Sequence, residues 1–160
     1  MANKFDKYFR VSENIDESSL KNLFSLIYKF NIDELRNYSL QYNVPLSCTN
    51  KEQENLIHFV LNIDDKSKTE STRLHIIKFL VQEGVDHDQP NQYNVTPIHI
   101  ACKKQYGKIV KYLLQLGVDS NYKDSMGQTP FHYLFSGYIQ KCEPFRKIGS
   151  MIKPVNKKNL

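Results

Sequence analysis

Asn91-Gln92-Tyr93-Asn94-Val95-Thr96-Pro97-Ile98-His99-Ile100-Ala101-Cys102 is the stretch whose reading decides the fold. Its Thr96-Pro97-Ile98-His99 block returns 33 residues later as Thr129-Pro130-Phe131-His132, and Gly84 returns as Gly117 at the same interval. A fixed period of this length marks copies of one supersecondary unit, each burying its apolar face against its neighbours. It also shifts the functional expectation from chemistry towards recognition.

One unit runs from Asn91 to Lys123. Asn94 and Thr96-Pro97 form a turn, the Thr hydroxyl caps a helix, and Pro97 opens that helix at its first position. His99 lies one turn on, within reach of the Thr hydroxyl or nearby backbone. Ala101 and Cys102 are small enough for close helix packing, and Gly107 is expected to break the helix. Ile109, Val110, Leu113 and Leu114 then give a buried stripe on a second helix. Gly117 ends that helix in the left-handed conformation glycine tolerates best.

These blocks resemble the ankyrin repeat, whose pattern is a turn, Thr-Pro-Leu-His, a small-residue helix, an Ile-Val-x-Leu-Leu-Leu helix, then Gly-Ala-Asp-x-Asn. The resemblance is specific across Asn91 to His132. It implies an all-α fold, a solenoid of stacked helix-turn-helix units with short finger loops. Gly84-Val85-Asp86 closes an earlier unit whose second helix carries Ile76, Ile77, Phe79, Leu80 and Val81. Its first helix begins at Asn55-Leu56-Ile57-His58, and His58 precedes His99 by 41 residues, eight more than the period. The surplus, residues 64–71, is expected to protrude as a solvated loop. Asn43 precedes Asn55 by the same 12 residues that separate Gly84 from Thr96. Leu20–Phe30 and Ile32–Gln41 are therefore the helices of a degenerate opening unit.

Forwards, Phe131–Ser136 starts a last unit whose second helix is expected over Pro144–Ile152, with Phe145, Ile148, Met151 and Ile152 inward. Val155–Asn159 looks like a further finger. The expected organisation is one domain over 1–160, with units at 18–50, 51–90, 91–123 and 124–158. The sequence stops where another repeat would begin; it reads equally as a fragment of a longer array and as a short protein with a basic tail.

The chain has 160 residues, 40 % of them hydrophobic, and a net charge of +5. Acids interleave with the bases everywhere except Lys153–Lys158, so the charge describes a solvated surface rather than a nucleic-acid footprint. No apolar run is long enough to span a membrane, and Met1–Arg10 has no secretory h-region. Cys48, Cys102 and Cys142 are odd in number and widely spaced, fitting reduced thiols in an intracellular, cytoplasmic setting. An abundance of Asn, Lys, Ile and Tyr suits an AT-rich genome, and leans towards a large DNA virus or an intracellular pathogen; the setting would then be the host cytoplasm or nucleus.

No catalytic or metal site is expected, and no cofactor. His99, Cys102 and His132 lack the converging ligands of a zinc site and the base and oxyanion donor of a nucleophile. Asp86-His87-Asp88, Asp64-Asp65, Glu52 and Glu54 read as surface. The resemblance implies a non-catalytic module, monomeric, holding a protein partner (a host protein if the chain is viral or an effector) on its concave face. The positions implied are Gln92, Tyr93, Val95, Lys103 and Lys104, then Ser125, Met126, Gln128 and Ser136, with Glu52, Gln53 and Asn62 in the preceding unit. Tyr93 and Met126 stand out as contact groups, unless each merely packs on the next finger.

Residues 32–61 carry a second resemblance. Ile32-Asp33-Glu34-Leu35, Val44-Pro45-Leu46-Ser47, Lys51 and Leu56-Ile57 are similar to the SAP motif, a helix-extended-helix DNA binder. Cys48 departs from its glycine, and few bases are placed to neutralise phosphates.

Overall fold

The structure, a computed structural model, describes residues 17–65 and 67–141. The second helix expected over Pro144–Ile152, the finger expected over Val155–Asn159 and Cys142 lie outside the described residues. Within them are seven α-helices and no strand: α1 Glu17–Lys29, α2 Ile32–Tyr42, α3 Leu56–Asn62, α4 Glu70–Gln82, α5 Pro97–Lys104, α6 Gly107–Gln115 and α7 Pro130–Lys141. They alternate between inner helices (α1, α3, α5, α7) and outer helices (α2, α4, α6), each pair joined as a hairpin and stacked on the next. The core runs continuously along the stack, through Leu23 and Ile27, Leu56, Ile57 and Leu61, Ile76 and Leu80, then Ile98, Ile109 and Leu113, all at most 1 % exposed.

Helix ends follow the local chemistry. Thr96 and Asn55 occupy N-caps, each paired with a histidine three residues on. Asn43, Gly84 and Gly117 end the outer helices with φ of 51°, 84° and 89°, so Asn43 does in the opening unit what glycine does later. Gly107 does not break α5. That helix stops because Gln105 turns left-handed at φ 59°, and Gly107 is the first residue of α6. The expected stripe on α6 is narrower than four residues: Ile109 and Leu113 are buried, Val110 is partly buried, and Leu114 faces solvent.

The eight-residue surplus is only partly a loop. The link between α3 and α4 is five residues longer than that between α5 and α6, α4 is four residues longer than α6, and α3 is one shorter than α5. The added turn of α4 is used structurally. Glu70 accepts the backbone N–H groups of Lys108 and Ile109, at 2.5 and 3.2 Å, capping α6, whose own N-cap Tyr106 supplies no side-chain bond. Arg73, 2 % exposed, donates to the carbonyls of Val60, Ile63 and Asp65 at 2.6, 2.8 and 3.3 Å. Its guanidinium also lies over the rings of Tyr106 and Phe30. A buried cation is tolerated here because it meets the carbonyl end of α3 and two π faces. The expected protruding loop is therefore tied back onto the stack.

Candidate partner interface

Each finger is built on one side chain. Asn91 Oδ1 accepts the N–H groups of Tyr93 and Val95, at 2.9 and 3.0 Å. Asn50 takes those of Glu52 and Glu54, and Asp124 those of Met126 and Gln128, all at 2.8–2.9 Å. This is the turn that Asn and Asp side chains form with backbone two residues on. The fourth finger residue is left-handed in every case: Gln53, Asn94 and Gly127, at φ 60°, 57° and 75°. Burial alone would raise the Asp124 carboxyl, but the Gln128 N–H, the Tyr133 hydroxyl at 2.7 Å and the Met126 N–H hold it below the usual range. Burial, with the same contact, pushes the Tyr133 hydroxyl up to about 12.

The fingers are joined to one another by backbone bonds. Gln92 N–H donates to the Glu52 carbonyl and Ser125 N–H to the Tyr93 carbonyl, each at 2.9 Å; the Ser125 hydroxyl adds a second bond to Tyr93. Histidines fasten the second and third fingers to the preceding inner helix. His99 Nε2–H donates to the Gln128 carbonyl at 3.2 Å, and His58 Nε2–H to that of Val95 at 3.1 Å. That tautomer leaves Nδ1 as acceptor for the Thr96 N–H and hydroxyl, at 3.2 and 2.9 Å. Burial lowers both imidazoles, His58 to about 4. Asn55 fits less well than threonine. Its Oδ1 lies 2.8 Å from His58 Nδ1, a contact between two acceptors that a hydroxyl proton would bridge.

Most of the side chains the sequence suggested point outward. Gln92, Tyr93, Lys103, Ser125, Met126, Gln128, Ser136, Glu52, Gln53 and Asn62 are exposed, and Lys104 is half-buried. Val95 is half-buried against the core, and its carbonyl is taken by His58. The Ser136 hydroxyl is turned back on the Tyr133 carbonyl at 2.9 Å. Tyr93 and Met126 are 52 % and 79 % exposed, so neither is consumed by packing on the next finger. The sequence reading missed the Asn50, Asn91 and Asp124 series. An Asn-x-x-x-x-[Asn/Thr] search in the register of the histidines would have found two members, and allowing Asp the third.

The SAP-like segment has the expected helix-extended-helix order, but its last helix is α3, an inner helix. Leu56, Ile57, His58, Val60 and Leu61 are all buried, so α3 has no face to offer a DNA groove, and Lys51 sits on a finger congruent with the other two. The described residues hold no cluster of three or more His, Cys, Asp or Glu able to bind a metal. Cys48 and Cys102 are free and buried, with burial pushing each thiol up to about 11, which disfavours the reactive thiolate. No helix among the described residues is long and apolar enough to cross a membrane.

Residues 80–134 match the family described as ankyrin repeats (many copies). An ankyrin repeat protein of Acanthamoeba polyphaga mimivirus is similar over 97 residues at 32 % identity. That match covers 57 % of this chain and 5 % of the relative's own length.

Proposed function

Because this is an ankyrin-repeat protein, and such repeats are generally protein–protein interaction modules, we propose that it binds a protein partner, without catalysis, on the face formed by its finger tips and inner helices. The observation that carries this reading is the exposure of Tyr93 and Met126 on fingers whose backbone is fixed at both base and tip. A finger backbone already fixed costs little ordering on binding, and the amphipathic Tyr93 and adaptable, polarisable Met126 supply contact area. Lys103 lies on the inner helix behind them and supplies a charge for orientation. The module works as a monomer inside a cell, and its resemblance to a viral relative makes a host protein the first partner to seek.

Affinity capture from host-cell extract tests this, comparing wild type with a Tyr93→Ser, Lys103→Ser, Met126→Ser variant whose far-UV dichroism is unchanged. Loss of these contacts should weaken a genuine partner by about tenfold or more. If every protein captured by wild type is retained by the folded variant, the face is misassigned. A captured substrate that is chemically altered by the chain would remove the non-catalytic reading.

A further inference from the structure

Three side-chain amides converge on one carboxylate at the junction of the first two fingers. Asn50 Nδ2 donates to Glu54 Oε2 at 3.0 Å, and Asn62 Nδ2, from the last residue of α3, to Oε1 at 3.4 Å. The Asn91 side chain, at the base of the second finger, bonds the same carboxylate. Neither finger asparagine is free to turn its amide over, because each Oδ1 already accepts two backbone N–H groups of its own finger, at 2.8–3.0 Å. Their NH2 groups therefore point away from the turns, and what fits between them is an acceptor. The third finger is built differently: Asp124 offers a second oxygen, and the donor that meets it is the Tyr133 hydroxyl of α7.

We propose that Glu54 is the positioning residue of the partner face, its ionised carboxylate locking the first finger to the second and both to α3. The consequence for binding rests on the face assigned above; the lock itself does not. A carboxylate suits this place because it offers two oxygens and no donor. Glutamine would set one NH2 group against another, and a protonated acid would set an O–H there. The charge is held at a cost. Burial, the largest influence, raises Glu54 above its ordinary 4.5; the Asn50 bond opposes it, repulsion from Glu52 on the same finger adds to it, and the Asn91 bond opposes it. From the second finger and from α3 it faces neutral amides, so Glu52 is the charge that bears on it. The folded chain therefore takes up a proton here more readily than the unfolded chain, which makes the ionised lock a burden on stability at neutral pH. A proton taken up in acid relieves that burden and opens the lock. The spacing of Tyr93 from the first finger is then set by the charge on Glu54.

¹⁵N NMR of the full chain tests the assignment. Between pH 7 and pH 4 the side-chain NH2 signals of Asn50, Asn62 and Asn91 should shift together, with one midpoint above 4.5, and that shared titration should vanish in Glu54→Gln. In the same variant at pH 7 the Gln92 amide, which bonds the Glu52 carbonyl across the junction, should exchange with solvent at least about tenfold faster, while the Ser125 amide at the next junction keeps its protection. Glu52→Gln, which removes only the like charge, should lower the midpoint and leave Gln92 protected. Separate midpoints for the three amides overturn the proposal, and so does an unchanged Gln92 rate in Glu54→Gln. Loosening of Ser125 together with Gln92 overturns it too, being the mark of a merely structural role. Partner capture enters none of these readings, so the lock and the face can fail separately.

Discussion

Acidification should loosen the junction between the second and third units through His58. The ring is fully buried, and desolvation lowers it from 6.5 to about 4, with the Val95 carbonyl and Asp86 only partly opposing. In the unfolded chain it takes its proton near the ordinary value. The unfolded state therefore binds the proton more readily, so this contribution is intact above about pH 6.5 and is lost as the pH falls towards 4. At about 1.4 kcal/mol per unit, the difference is worth about 3 kcal/mol. That is a large fraction of a small domain's total stability.

Other groups titrate nearby, so a single stability curve would mix their effects. His99 is lowered and acts in the same direction; Glu54 and Asp88 are raised by burial and act oppositely; Asp124 is lowered and loses its share only below about pH 4. The informative quantity is the difference between wild type and His58→Gln in urea unfolding, followed by far-UV dichroism from pH 7 to pH 4. Glutamine keeps a donor for the Val95 carbonyl and cannot take up a proton. The variant should be the weaker at pH 7 by about 1–3 kcal/mol, from the lost acceptor for the Asn55 N–H. That gap should close or reverse by about 3 kcal/mol at pH 4. Parallel curves would refute the reasoning.

Arg73→Ala leaves the carbonyls of Val60 and Ile63 buried without their donor and should cost about 2–4 kcal/mol in urea unfolding, with Arg73→Lys recovering little because one ammonium cannot replace the fork. At Gly137 an added Cβ would overlap the Lys103 carbonyl oxygen, so Gly137→Ala should lower Tm even though alanine favours helix by about 1 kcal/mol. Asn91→Ala should cost about 1–2 kcal/mol by orphaning two finger N–H groups, and Asn91→Asp should recover only part of that, since it restores the acceptor as Asp124 does but replaces the amide donor to Glu54 with a second carboxylate; chemical denaturation separates them.

The sequence made legible what recurs with the same residue types. Thr-Pro-x-His announced α5 and α7 and their caps, and the Gly84/Gly117 spacing led correctly to Asn43. What escaped notice was function carried by dissimilar residues in equivalent places. Asn50, Asn91 and Asp124 share a role that depends only on a side-chain oxygen two bonds beyond Cβ, so letter matching split them. Nothing in the sequence marks Arg73 for burial, which depends on carbonyls 10 and 13 residues away that only folding brings near. Nor does the sequence single out Gly137; the need for it appears only where α7 crosses α5. Among the candidate contact positions, exposure followed from finger geometry, while the retreat of Val95 follows from its packing against the core.

The exposed face depends on residues that never reach it. The backbone that carries Tyr93 is set by the Asn91 turn, by His58 gripping Val95, and by Ser125 bonding the Tyr93 carbonyl from the next finger. Met126 is set likewise by Asp124 and by His99 gripping Gln128. The Tyr93 tip is thus positioned by three elements, two of them from neighbouring units, and the Met126 tip by two, so neither can shift without breaking a bond at its base. In a stack whose units couple only to their neighbours, that arrangement makes the spacing between Tyr93 and Met126 a property of the junction rather than of either finger. Selection for binding can therefore vary the tip side chains freely while the buried Asn, Asp, Thr and His positions hold the geometry. This explains why the repeat is most regular where nothing can be touched and least regular where a partner would rest.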